Sequence, residues 1–170
     1  MSEPDCAGVL VIGLGNPIMA DDGLGLAALE RLRQRWSLPE SVRLVDGGTW
    51  GMNLLPLIEE AERVVFLDAI NAGRPVGSLV RLEREELPRL FAHKLSAHQI
   101  DLREVLAVAE LRGTVPSDLV AIGLQPGRLE MSSELSPELE CRLDELLTAV
   151  LEQLERWGCA CRPLEPVANA

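Results

Sequence analysis

The sequence predicts an α/β fold: a single domain with a twisted, mostly parallel five-stranded sheet and helices packed on both faces. Apolar runs of strand length alternate along the chain with segments of helical period, the pattern of βαβ units. A run such as RVVFLD at 63–68 is almost wholly apolar until its last residue, as a strand covered on both faces requires. The first run breaks at Gly13-Leu14-Gly15-Asn16 and leads within a few residues to two adjacent acids, Asp21 and Asp22. That order places charge at the carboxyl edge of the sheet, where open α/β proteins bind ligands.

Taken in order, Gly8–Gly13 reads as a buried strand. Gly23–Trp36 reads as a helix with Leu24, Ala27, Ala28, Leu32 and Trp36 near one face. Ser41–Asp46 is a second strand that ends in the turn Gly47-Gly48. Met52–Glu62 is a short helix, with Pro56 as a blemish in its first turns. Arg63–Asp68 is the third strand and Gly77–Glu83 a fourth, at a sheet edge. Ser96-Ala-His98-Gln99 has capping-box spacing, with Ser96 at N-cap and Gln99 at N3, and the helix it opens runs to Leu111 before Gly113 and Pro116. Asp118–Leu124 is the fifth strand. Ser136-Pro137 opens a last helix whose stripe Leu139, Leu143, Leu146, Leu147, Val150, Leu154 and Trp157 repeats at helical spacing, a core face that Gly158 terminates. The domain is expected to span 1–158, with 159–170 as a loose C-terminal tail.

Composition narrows the function classes. Among 170 residues, 47% are hydrophobic and 25% charged, an ordinary globular balance. Sixteen basic against twenty-seven acidic residues give a net charge of −11, which disfavours a nucleic-acid partner. The chain has no apolar run long enough to span a bilayer and no basic leader at its start, so a cytoplasmic protein with no membrane partner is expected, and a monomer. Cys6, Cys141, Cys159 and Cys161 form no pair of CxxC clips and are expected as reduced thiols.

Three segments bring a metal-ligating side chain to a strand end or a helix start: Asp22 after the first glycine turn, Asp68 at the end of the third strand, and His98 in the first turn of the Ser96 helix. Each alone has a plain structural role, as an N-cap, a turn residue or a surface imidazole. Right-handed crossovers, however, carry the first and third strands to the same rim. Two carboxylates and an imidazole there make an O,O,N set suited to zinc, nickel or iron. A helix N-terminus disfavours imidazolium and keeps His98 neutral. The only other histidine, His93, sits in a charged stretch and reads as solvent-exposed. Asp46 ends the second strand 33 residues after Gly13, too far for a ribose-binding acid, which stands about 20 residues on, and the third glycine of the dinucleotide fingerprint is replaced by Ile18. Asp46 therefore reads as a carboxylate that orients substrate, or as a turn residue.

The blocks GLGNPIMADDGLG, DGGTWGMNLL, VVFLDAI, KLSAHQIDLREVLAVAELRG and VAIGLQP, in this order, resemble the maturation endopeptidases of nickel–iron hydrogenases. The likeness covers most of the chain, from Val9 to about Trp157. It implies an α/β peptidase that removes a short C-terminal extension from the hydrogenase large-subunit precursor once nickel has been delivered. Nickel would be carried in by the client and not held as a resident cofactor. By motif position, the nickel-recognising acid, aspartate and histidine fall on Asp22, Asp68 and His98. The first is often glutamate in relatives, and here it is aspartate. The DGGT aspartate, Asp46, is implied in recognition or activity, so Asp22, Asp68 and Asp46 are the candidate catalytic acids. No serine or cysteine nucleophile is indicated.

Other readings fit part of the pattern. Peptidyl-tRNA hydrolases also begin with a strand and GLGNP, but continue differently and suit a −11 chain poorly. A nickel-recognising adaptor that docks without cutting would use the same three ligands. A germination-type protease shares the architecture, and a resident zinc hydrolase could use the same O,O,N set.

Overall fold

The computed structural model describes residues 6–48, 51–88 and 100–166. A five-stranded sheet is formed by β1 (Val9–Leu14), β3 (Val42–Gly48), β4 (Arg63–Ala69), β5 (Leu79–Glu83) and β6 (Asp118–Leu124), in the order β3-β1-β4-β6-β5. The four strands from β3 to β6 in that order are parallel, and β5 closes one edge antiparallel to β6. The mostly parallel five-stranded expectation holds, with the fourth sequence strand at the edge.

Alternation along the strands sends side chains to two separate cores. Val9 and Val11 of β1 and Val65, Leu67 and Ala69 of β4 face α1 (Leu24–Arg35) and α5 (Leu143–Arg156). Leu10, Ile12 and Leu14, with Val64 and Phe66, face α2 (Leu55–Glu60) and α3 (Ile100–Arg112). Each leucine or isoleucine fully withdrawn from water contributes about 1.5–3 kcal/mol. Helix α1 lies unusually close to the sheet because Gly25 has no side chain: a Cβ there would stand 2.1 Å from the Leu67 carbonyl oxygen and 2.4 Å from that of Leu14.

The predicted last helix is divided. Pro137–Glu140 forms a short α4, Cys141 and Arg142 make a turn, and α5 follows. The apolar stripe continues across the break, and Leu139, Leu143, Leu146 and Leu154 are all fully buried. Hydrophobic period alone is blind to such an interruption. The predicted helix at 52–62 likewise begins as a 3₁₀ turn, Gly51–Leu54, before α2.

Residues 159–163 do not form a loose tail. β2 (Trp36–Ser37) pairs antiparallel with β7 (Arg162–Pro163), and the fully buried Cys159 is joined to Cys6 by a disulfide with a Cα separation of 4.9 Å. The expectation of reduced thiols is therefore corrected for this pair, while Cys141 and Cys161 are free. The reason is topological. β1 starts and α5 ends at the amino edge of the sheet, which brings together two residues 153 apart in sequence. Among the described residues, no helix is long and apolar enough to cross a membrane.

Candidate active site at the carboxyl edge

The connection after β1 leads to β3 on one side, and the connection after β4 leads towards β6 on the other. The order of the sheet thus reverses between the neighbouring strands β1 and β4. A crevice opens at the carboxyl ends of such a pair, and this is where open α/β sheets take their ligands. Asp22 follows β1 and Asp68 is the penultimate residue of β4, so both candidate acids stand at this switch point.

Asp22 belongs to a 3₁₀ turn, Ala20–Gly23, that leads into α1. The turn stands over the end of β1 because Gly15 adopts φ +107° and admits the Asp22 carbonyl oxygen to within 1.9 Å of where a Cβ would be. Only glycine takes that conformation without strain. The Asp22 carboxylate closes the loop by accepting the Asn16 N–H at Oδ2, 3.0 Å. Asn16 shapes the same loop, its Oδ1 accepting the Ile18 N–H at 3.1 Å.

Asp68 is 1% exposed. It lies between Leu67, which faces the α1 side, and Ala69, so its side chain faces the α2–α3 side with Phe66 and Ile70. Helix α3 precedes β6, which runs parallel to β4, so α3 starts at the carboxyl edge on that same face. His98, two residues before Ile100, lies outside the described residues, as does the Ser96 capping box. Among the described residues, no three His, Cys, Asp or Glu side chains gather as a metal-binding group.

Asp46 stands apart from Asp68. It is in register with Gly13, follows Val42 and Leu44 on the α1 side of the sheet, and is exposed. Its Oδ1 accepts the Gly48 N–H at 3.1 Å, so the carboxylate shapes the Gly47-Gly48 turn. The topology sets Asp22 and Asp68 at the carboxyl ends of the neighbouring strands β1 and β4, and Asp46, on the α1 side of β3, faces away from Asp68.

Sequence reasoning assigned no role of its own to Asp21, which is 0% exposed. Its Oδ2 accepts the N–H groups of Gly127 and Arg128 at 2.9 and 2.8 Å and the Ser136 hydroxyl at 3.0 Å, while Oδ1 accepts the Ser136 N–H at 2.7 Å. Burial raises its pKa, but the hydrogen bonds from Arg128, Ser136 and Gly127 together outweigh burial and hold it below the ordinary 3.8. Because the folded value lies below the unfolded one, the stabilisation is complete above about pH 3.8 and is withdrawn as pH falls through the depressed value. Urea midpoints between pH 7 and pH 3 should therefore converge for wild type and Asp21→Asn. A gap that stays constant with pH would exclude this role. The acid-acid dipeptide was visible in the sequence, but its four donors lie more than a hundred positions away.

Gln125, 7% exposed, orders the loop that follows Asp68. Its Oε1 accepts the N–H groups of Ala72 and Arg74 at 2.8 and 3.2 Å, and its Nε2 donates to Asn71 Oδ1 at 3.0 Å.

Residues 26–153 match the family model for hydrogenase maturation proteases. The chain is 35% identical over 160 residues to the hydrogenase 2 maturation protease of Escherichia coli, covering 94% of this chain and 98% of that protein. It is 40% identical over 152 residues to the hydrogenase expression/formation protein HupD of Rhodobacter capsulatus, covering 88% and 72% of the two chains. Among solved structures, the hydrogenase maturating endopeptidase HybD from Escherichia coli superposes with a TM-score of 0.87 at 35% identity, over 91% of this chain and 96% of that one.

Proposed function

Because this chain belongs to the hydrogenase maturation proteases, a family of peptidases, we propose that it removes the C-terminal extension of a nickel-loaded hydrogenase large-subunit precursor. In this reading the client's nickel is recognised by Asp22, Asp68 and His98. One observation carries it: a buried carboxylate, Asp68, at the carboxyl end of β4, beside the turn that presents Asp22, at the point where the strand order reverses. Two carboxylates and an imidazole suit a divalent ion of borderline character.

The chemistry follows from the donors. Nickel held between client and peptidase polarises the scissile carbonyl or lowers the pKa of a bound water. Asp22 or Asp68 then takes the proton from the water and passes it to the leaving amine. A cysteine nucleophile is disfavoured for Cys6 and Cys159, which are oxidised to a disulfide at the far edge of the sheet. The protein is expected to act as a monomer on one precursor at a time.

The test is cleavage of purified precursor with and without nickel, read as the mass of the large subunit. Shortening of the loaded form at a rate at least about tenfold above the nickel-free form is expected. Equal cleavage of both would remove nickel from the mechanism, and an intact C-terminus in both would favour a docking role without hydrolysis.

A further inference from the structure

The mechanism leaves Asp21 unused, although its carboxylate accepts four hydrogen bonds. Its surroundings form a laced unit. Ala20 N–H donates to the Ser132 carbonyl at 2.8 Å and Asp21 N–H to that of Arg128 at 3.0 Å, while Ser132 N–H donates back to Ile18 at 3.0 Å. Met19 and Ser132 form a parallel bridge. Segment 18–21 and loop 126–136 are thus joined by backbone bonds, and the Asp21 side chain adds four more. Ala20 between them holds φ +49°, the single left-handed residue other than glycine among those described. Such a conformation persists only where its neighbours over-determine it, and it occurs typically at functional sites.

We propose that Asp21 is a positioning residue: it locks loop 126–136 to the 3₁₀ turn so that the loop and the Asp22 carboxylate move as one body. The inference rests on the reading of Asp22 as a group that meets the client's nickel. The same unit exposes Ile18, Leu129 and Met131, so whatever touches this loop also bears on Asp22. An anchor built only for stability would leave the carboxylate of the next residue indifferent to its loss. Here the peptide that carries Asp21 also carries Asp22, and the Asn16 N–H held by Asp22 Oδ2 reports where that carboxylate stands.

The test combines residue-resolved amide exchange on the full chain with cleavage kinetics on nickel-loaded precursor. In Asp21→Asn, one acceptor oxygen is replaced by an amide donor that faces N–H groups. The Gly127, Arg128 and Asn16 amides are expected to exchange together, each at least about tenfold faster, with kcat at least about tenfold lower at a temperature where the variant is fully folded. Ser136→Ala removes only the hydroxyl donor and keeps the carboxylate with its three backbone partners. It should show the same joint change in smaller measure, which keeps the proposal open to refutation if the asparagine variant fails to fold. An Asn16 amide that stays protected while Gly127 and Arg128 open overturns the coupling. Undiminished kcat with a freely exchanging Asn16 overturns instead the reading of Asp22 on which the proposal rests, with the coupling itself demonstrated.

Discussion

Asp68→Asn is expected to lower kcat/KM for the nickel-loaded precursor by at least about 10²-fold, since loss of even an outer-shell partner of a metal typically costs 10–100-fold. The substitution preserves shape and removes charge at a residue that is 1% exposed. Its midpoint of thermal unfolding should stay within about 4 °C of wild type, the shift that about 1 kcal/mol makes in a chain of this size. The two readouts separate chemistry from folding. Asparagine keeps the volume and shape of the buried side chain, so packing is retained, whereas recognition of a cation loses a full charge. Asp46→Asn makes the contrast. Its carboxylate is exposed on the other face of the sheet and caps Gly48, so a loss of about tenfold or less is expected, seen mainly in KM. Equal damage from both substitutions, or an active Asp68→Asn enzyme, would count against the crevice between β1 and β4 as the place where the client's metal is read.

Reduction of the Cys6–Cys159 bond should produce the largest change in stability without touching the site. The bond closes a loop with a sequence separation of 153. The chain-entropy treatment puts its effect on the unfolded state at about 5 kcal/mol for that length, and measured values for disulfides run at about 2–4 kcal/mol. A midpoint lower by roughly 5–15 °C is therefore expected for Cys6→Ser, or for the wild type under reductant. The bond lies at the amino edge, and β1 spans roughly 20 Å to the carboxyl edge at about 3.3 Å per residue. Cleavage of precursor well below the midpoint should accordingly be unchanged. Thermal melts with and without a phosphine reductant decide the matter, and coincident curves would show that the ends are held by packing and the β2–β7 pair alone.

Much of the architecture was readable because apolar alternation is a local signal. Strand Asp118–Leu124 was delimited residue for residue, and β1, β3 and β4 to within two. The break between α4 and α5 escaped because Leu139 and Leu143 keep the same stripe on both sides of it. The pair β2–β7 escaped because two residues per strand carry no period. At the site, Asp22 and Asp68 were legible from their positions after a glycine turn and at a strand end. Asp21 looked equivalent to its neighbour, yet one acid is buried under four donors and the other closes a turn beside the crevice.

Alternating hydrophobicity, glycine turns and the ordered motif blocks were enough, without coordinates, to specify the α/β class, the family and the two acids at the sheet's edge. Those features act through neighbours in the chain, and so they are written there. Only the folded molecule could decide that Cys6 meets Cys159, that Asp46 and Asp68 lie on opposite faces, and that Asp21 serves loop 126–136. Each of those depends on crossovers that bring distant segments together, and sequence spacing does not record the distance between residues that meet only after folding.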